Sequence, residues 1–436
     1  MAITWAIAPP AWAESPIGPA PDSPEPMQPE KTVAPERSGS REEGKQEAVL
    51  ELEHGASPPS FFTRGNYTFF PLPAFAYNRN EGYWVGALVP ILRANEQGEV
   101  TQIFAPQYLH NRWIGENLTM NMYGYRGEWV QYRAVVSYST KIERNFDFSY
   151  RDLGAGGGKY ILGGQVNWFK NAFARFFGIG NTAPEYDESN YTSREGLVSL
   201  MAGIHLNEDS AIVVSERYRD VRVDQGAVTD LAQTKLAFPN VTGIGGANIT
   251  GTKLTYRYDT RDDQLTPTTG TFATLSVELN SNWKQEDTDN WWRYTLDARH
   301  LLRHHGNHVF VAHVLLDAVS GNKIPFYEKP TLGGENTLRA FGLNRYIDEF
   351  AVLFNAEERI EAVNKRIFDY NLNFEVAPFL DVGRVGSRLT GEFFKDFQFN
   401  PGVGLRVLAK PHVVGRLDIA YGRDGANAFV GLDYPF

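Results

Sequence analysis

Strict alternation of apolar and polar residues runs through the second half of this chain. Residues 271–279 place Ala273, Leu275 and Val277 on one face of an extended strand, with Thr274 and Glu278 on the other. The same period of two recurs at 253–259, 291–299 and 416–421, and the polar face there carries charges of both signs. A helix cannot present such a pattern on two separate faces, so the chain is predicted to be all-β.

Length and aromatic content favour a membrane barrel over a soluble sandwich. The 436 residues contain no run approaching the ~18–20 apolar residues of a membrane helix. Several alternating runs exceed the ~5–6 residues usual in globular strands, and transmembrane strands need ~9–11. The 28 Phe, 21 Tyr and 9 Trp could supply aromatic girdles at two water interfaces. We predict a transmembrane β-barrel, with a secreted soluble β-protein as the alternative.

The number of strands is predicted from parity. Roughly 18 candidate runs lie between Phe69 and Phe436, and bacterial single-chain barrels have an even number of strands. We interpret segments 101–111, 144–153 and 160–169 partly as loops that mimic strands. The prediction is therefore a 16-stranded antiparallel barrel, with 18 strands as the alternative.

The first 60 residues have a different composition. A short apolar run followed by Ala11-Trp12-Ala13 is typical of a cleaved signal peptide, so residues 1–13 are predicted to be the remainder of one. Residues 14–60 are rich in Pro and Glu and should be a disordered periplasmic segment. They lack the αβ alternation of a periplasmic binding domain. The barrel is predicted to occupy residues 61–436.

Most enzymatic and cofactor-binding classes have no support in the sequence. The chain has no cysteine, which excludes disulfides, thiolate metal sites and a Cys nucleophile, and its formal charge of −10 argues against nucleic acid binding. Residues 154–159 resemble a phosphate loop but lack its Ser or Thr. The histidines between 300 and 308 have no carboxylate at ligand spacing near them in sequence. We predict no catalytic residues, no cofactor and no metal.

One loop carries a charge among apolar residues. Arg339 stands between Leu338 and Phe341, in a segment that begins at Gly333 and interrupts two long alternating strands. Burying a guanidinium is costly unless a carboxylate meets it. Two candidates follow on strand faces that also carry polar residues, Glu357 and Asp381.

Four segments together resemble the BamA/TamA family of outer-membrane assembly barrels, also called bacterial surface antigens. Leu338-Arg339-Ala340-Phe341 is similar to the family's Val/Leu-Arg-Gly-Phe/Tyr, with Ala340 where Gly is usual. Residues 379–383 match its Phe-x-Asp-x-Gly motif, and residues 258–270 its strand-turn signature. The chain end carries Val430, Leu432, Tyr434 and Phe436 in the alternation that the assembly machinery reads on new barrels.

The resemblance implies where the loop lies. Five strands are predicted after it, the last running from Asn427 to Phe436, so the loop starts on the external side and folds back into the lumen. Strand parity puts Phe379, Asp381 and Gly383 on one face, and Glu357 on the inward face of the preceding strand. We predict an Arg339–Asp381 pair, with Glu357 as second partner or near neighbour.

The resemblance also implies a function. Such barrels insert or translocate proteins, or lipids, across the outer membrane through a weak seam between the first and last strands. The implied partners are outer-membrane lipid, the assembly machinery during biogenesis and a client that the sequence does not identify. The alternative is a pore or a solute or lipid conduit that the Arg339 loop plugs.

Overall fold

The structure is a computed structural model. It describes residues 63–69, 71–95, 100–126, 129–263, 266–283, 289–367, 370–387, 395–409, 412–431 and 434–436. The predicted signal segment, the predicted disordered segment and Leu432 lie outside the described residues, so those expectations stay predictions.

Twenty-four strands follow one another along the described chain. The first twelve are β1 (Thr63–Arg64), β2 (Tyr67–Phe69), β3 (Leu72–Asn78), β4 (Gly82–Leu88), β5 (Ile91–Ala94), β6 (Val100–Asn111), β7 (Gly115–Arg126), β8 (Val130–Ser139), β9 (Arg144–Gly154), β10 (Tyr160–Phe176), β11 (Ser189–His205) and β12 (Ser210–Gln225). The others are β13 (Ala232–Gln233), β14 (Ala247–Asp259), β15 (Gly270–Asn282), β16 (Asp289–His304), β17 (His308–Gly321), β18 (Thr331–Leu332), β19 (Tyr346–Ile347), β20 (Phe350–Ile367), β21 (Tyr370–Gly386), β22 (Gln398–Ala409), β23 (His412–Gly422) and β24 (Gly425–Gly431).

The long strands form one antiparallel meander, which we call the wall. From β6 to β24 each long strand pairs with the next long one along the chain. At its start, β2 and β3 lie end to end as one member, and β4 and β5 as the second. The all-β antiparallel prediction is confirmed. Within the described residues the wall has eighteen members, so the alternative number is correct and sixteen is wrong.

The three segments interpreted as loops are wall strands. β6 has Pro106 at its middle, and the break between β4 and β5 lies opposite it, where the amide of Val89 donates to the carbonyl of Pro106 at 3.0 Å. Proline has no N–H for the ladder, so the neighbouring strand is interrupted there. β9 and β10 pair in continuous register from Arg144 to Asp152. Ladders with neighbouring strands define all three, and β9 also alternates, with Phe146 and Phe148 exposed and Asp147 buried.

The burial of the two strand faces is the reverse of that in a soluble sandwich. On β14 and β15, the apolar residues Leu254, Tyr256, Leu275 and Leu279 expose between 38% and 54% of their surface. The polar face is buried, with Arg257 and Asp259 at 4% and 3%. Strands β10–β12, β14–β17, β20 and β21 have 13 to 18 residues, more than a bilayer requires. An apolar outer face and a polar inner face are what a transmembrane barrel requires.

The two ends of the wall meet with little backbone pairing. β24 packs beside β3. No ladder of backbone hydrogen bonds joins these two strands in the part of the chain that the structure describes. We call this boundary between the first and last members of the wall the seam.

The helical elements are short. They are a turn at Ala155–Gly158, a helix at Thr234–Ala237 and 3-10 helices at Glu185–Asp187 and Phe326–Glu328. No helix among the described residues has the length and apolar character to cross a membrane.

The last strand is shorter than predicted. β24 ends at Gly431, and Tyr434 to Phe436 are not in a strand, so the expectation of a strand reaching Phe436 is wrong. Pro435 cannot donate to a ladder. The ring of Phe436 instead stacks on the inward-facing His313 of β17, with 5.0 Å between ring centroids.

Candidate functional site: the inward loop and its anchors

The segment between β17 and β20 folds onto the inner face of the wall, and we call residues 322–349 the inward loop. The short hairpin of β18 and β19 organises it, with Thr331 opposite Ile347. Gly333 follows β18 with φ +113°, and a Cβ there would lie 2.4 Å from the carbonyl oxygen of Gly342. Only glycine fits this close approach. Five wall strands follow the loop, as the sequence predicted.

Arg339 is buried at the tip of this loop against β21. Its side chain has no exposed surface, and neither does that of Asp381. Arg339 Nη2 donates to Asp381 Oδ1 at 2.7 Å, and the Nε and the backbone amide of Arg339 each donate to Oδ2 at 3.0 Å. Asn355 donates to the same carboxylate at 2.8 Å. The structure therefore brings the predicted pair together with its hydrogen-bonding capacity used on both sides.

Glu357 is the second carboxylate on Arg339, as predicted, at 2.8 Å from Nη1. It belongs to a larger ionic cluster on β20, β22 and β23. Four guanidinium groups meet four carboxylates there, namely Arg339, Arg359, Arg406 and Arg416 with Glu335, Glu357, Asp381 and Asp418. Each of these four guanidinium groups contacts at least one carboxylate, which offsets part of the cost of burying the charges.

Two aromatic rings complete the surroundings of Arg339. Its Cζ lies 3.3 Å from the ring centroid of Phe379 and 5.5 Å from that of Phe436. A cation over a desolvated ring gains electrostatic attraction from the ring face. The C-terminal residue thus reaches the guanidinium from the end of the chain. Next to it, Tyr434 donates to both oxygens of Glu375 at 3.0 and 3.1 Å.

Ala340 fits without strain where related loops have Gly. It is fully buried, and its φ is not positive. Gly422 of β23 provides the space, because a Cβ at Gly422 would lie 2.7 Å from the Cβ of Ala340. Gly383 likewise leaves space for Leu332, because a Cβ added at Gly383 would lie 3.1 Å from Leu332 Cδ1. The methyl group of Ala340 is thus accommodated by a missing side chain opposite.

A second anchor, which the sequence analysis missed, holds the loop to a distant part of the wall. Glu328 is buried and pairs with Arg217 of β12 at 2.8 Å and with Arg219 of the same strand. Burial alone would raise the pKa of Glu328, but Arg217 and Arg219 outweigh it and lower this pKa to about 2. The alternation of β12 indicates that Arg217 and Arg219 lie on its inward face. It does not identify their partner, because Glu328 lies 109 residues or more away in sequence.

The two anchors lie on separate sectors of the wall. β12 is the ninth member, whereas β20 to β23 are the fourteenth to seventeenth, with four other members between. A segment tied to both must cross the lumen between them. The inward loop is therefore fixed at each side by buried ion pairs.

Close to the inward loop, side chains connect the first and last members of the wall. Arg79, in the turn after β3, donates to the backbone oxygen of Asp424 at 2.6 Å, in the turn before β24. Arg345 of the inward loop donates to the carboxylate of Asp424 at 2.7 Å and to the carbonyl of Ala183 at 3.0 Å. The seam is thus held at this rim by side chains and by the inward loop.

The fold and this site define the class of protein. A meander of long strands with an apolar outer face, a polar inner face and a loop pinned inside by Arg339 is an outer-membrane β-barrel. Residues 124–428 match the Omp85 superfamily domain. The chain belongs to the Omp85 superfamily and is located in the bacterial outer membrane.

Three solved structures are similar to this chain, and the first of them agrees in fold. BamA from Haemophilus ducreyi lacking POTRA domains 1–3 has a TM-score of 0.51 and 14% identity, with 89% of this chain and 78% of that chain covered. CdiB from Acinetobacter baumannii has a TM-score of 0.45 and 13% identity, covering 85% and 60%. CdiB from Escherichia coli has 0.46 and 10%, covering 85% and 63%, so this chain spans under two thirds of either CdiB. No curated protein matches the sequence.

Proposed function

We propose that this barrel inserts or translocates client proteins at the outer membrane by opening its seam. The proposal rests on a contrast between two routes by which a client could pass, one through the lumen and one through the seam. The lumen is crossed by a loop with buried ion pairs at both ends, whereas β3 and β24 meet without a backbone ladder. Opening the seam disrupts few backbone hydrogen bonds. Clearing the lumen would separate several buried charges at once.

Energetics favour the seam as the moving part. Separating one partner from a buried ion pair costs about 3–5 kcal/mol, and the loop has such pairs at Glu328 and at Arg339. A strand edge without a partner is, in contrast, a template for pairing with an incoming strand. An exposed edge at the seam would suit a client that forms β-structure. The inward loop then acts as a brace that keeps the wall shaped while the seam opens.

A conduit is the second candidate, and the polar inner face favours it. Buried charged side chains line the inside of the wall at Arg257, Asp297 and Asp317, among others. An aqueous channel needs such a lining. In this case the inward loop would be a plug that leaves the lumen to admit a solute or a lipid.

Partners follow from the membrane location. Outer-membrane lipid surrounds the apolar outer face, and the assembly machinery acts on the chain during biogenesis, with Val430, Leu432, Tyr434 and Phe436 as the segment it recognises. The client remains to be identified by experiment. Membership of this superfamily agrees with a role in transport or assembly rather than catalysis.

The test compares outer-membrane proteomes with and without the barrel. If the barrel is an insertase or a translocase, deletion depletes specific barrel or surface proteins, and expression of the wild-type chain restores them. Planar-bilayer recording of the purified protein is the parallel measurement. A steady open pore combined with an unchanged proteome would overturn the proposal and favour the conduit.

A further inference from the structure

The turn between β16 and β17 brings three imidazole rings and one carboxylate together. His304 and His308 are opposite each other where the hairpin closes. Glu358 comes from the adjacent strand β20, in which Ile360 is the residue opposite His308. Residues at such diagonal positions share one face of a sheet. The carboxylate that the sequence did not provide near the histidines is thus supplied by a strand 50 residues away.

The distances suit a metal ion. His304 Nε2 lies 2.9 Å and His308 Nδ1 3.1 Å from the same oxygen, Glu358 Oε1. The three ligand atoms all lie within 4.8 Å of one another. Ligands of a tetrahedral zinc ion, at about 2.0–2.2 Å from the metal, are about 3.4 Å apart. A small outward shift of each side chain would therefore accept an ion.

His305 supports the orientation of His304. The Nδ1 atoms of the two rings are 2.7 Å apart, so one of them donates a hydrogen bond to the other. With His304 bound to a metal through Nε2, its Nδ1–H is the donor and His305 the acceptor. A metal-ligating histidine usually donates its second nitrogen in this way. The backbone of His305 has φ +47°, an unusual conformation for a non-glycine residue, which is the geometry that places its ring there.

The position of Glu358 indicates why a cation is needed. It lies on the outward face of β20, in the column that also contains Phe354 and Ala356. Phe310, opposite Glu358 on β17, is 37% exposed on the same apolar outer face. A carboxylate at the end of an apolar, lipid-facing column requires compensation. A divalent ion held by this carboxylate and the two imidazoles would supply that compensation.

We propose that His304, His308 and Glu358 form a site for a first-row divalent transition metal, of which Zn²⁺ is the best match. Imidazole and carboxylate ligands suit zinc, nickel and copper better than calcium or magnesium. Three protein ligands leave one coordination position open. The ion would join the β16–β17 turn to β20 across the ladder, at the end of β17 opposite to the inward loop.

Zinc titration of the full chain tests the site. The protein is purified in detergent micelles, its affinity tag is removed, and Zn²⁺ alone is titrated in a calorimeter. We expect saturation at one ion per chain. His308→Ala and Glu358→Gln should each weaken binding by more than about 10-fold, and Co²⁺ should give visible d–d absorption that these variants lose.

The matched control is His300→Ala. His300 belongs to the same hairpin, but its Nδ1 pairs with the hydroxyl of Thr271 at 2.8 Å instead of with the cluster. Heat-modified gel migration verifies that each variant is folded. The proposal is overturned if the wild type shows no saturable binding. It is also overturned if folded His308→Ala binds as tightly as wild type, or if His300→Ala loses as much affinity as His308→Ala.

Discussion

The contacts of Arg339 could be predicted only in part from the sequence. Its place between Leu338 and Phe341, together with strand parity, predicted Asp381 and Glu357, and the structure brings all three together. Sequence alone could not supply Arg406, Asp418 or Phe436, because those contacts depend on register across non-adjacent strands and on a C-terminus that leaves its strand. Local pattern identifies a buried charge. The other residues that contact this charge are determined by tertiary packing.

Removing the Arg339 side chain should destabilise the barrel strongly. Arg339→Ala leaves Asp381 buried without its guanidinium partner and removes one of the three guanidinium partners of Glu357, so we expect a loss of about 3–5 kcal/mol in the free energy of unfolding. Guanidinium-induced unfolding followed by tryptophan fluorescence measures it. The matched control is Arg222→Ala, whose pair with Asp220 is largely exposed and should contribute about 0–1 kcal/mol. Equal effects of the two substitutions would contradict the role assigned to Arg339.

At the scale of elements, the inward loop and the last strand depart from what alternation predicts. The loop was expected to contact one wall, at Asp381, but Glu328 gives it a second anchor on β12. Alternation identifies inward charges such as Arg217 and Arg219 without specifying their partners. The last strand was expected to reach Phe436, yet β24 spans Gly425–Gly431 and the ring of Phe436 stacks on the inward-facing His313. Loops and termini are decided by long-range contacts.

The Glu328 anchor should make stability depend on pH. The pKa of Glu328 is lowered from 4.5 to about 2 in the folded protein. Its stabilising contribution is therefore complete above about pH 4.5 and is lost as the pH falls through about 2. The difference amounts to ~3 kcal/mol. We expect the unfolding midpoint to fall more steeply between pH 5 and pH 2 in the wild type than in Glu328→Gln. Identical slopes in the two proteins would contradict the anchor.

At the scale of the whole molecule, the fold class was predictable and the strand count was not. Alternation with a charged face indicated a barrel, and the exposed apolar faces of β14 and β15 agree with it. The count failed at β6, β9 and β10; Pro106 interrupts the pattern in β6 and the consecutive Gly163 and Gly164 weaken it in β10, whereas β9 alternates regularly and was wrongly interpreted as a loop. Hydrogen-bonded neighbours make these segments strands. Across the described residues, the wall has eighteen members, a loop tied to two of its sectors, and a seam at which no backbone ladder is found. These features support the proposal that the wall opens at the seam.

A disulfide across the seam should block function if the barrel works by opening there. The natural chain has no cysteine, so introduced pairs are unique. Phe75→Cys on the outer face of β3 is combined with Ala426→Cys, Ala428→Cys or Val430→Cys on β24, and the pair that oxidises is used. Phe75→Cys with Val85→Cys is the control, because these residues face each other in the β3–β4 ladder.

The measurement is the abundance of the proteins that deletion depletes, in cells that express either pair. If the seam opens during function, the oxidised seam pair fails to restore them, reduction recovers them, and the control pair restores them in both states. Full restoration by the oxidised seam pair would show that the barrel works with its seam closed.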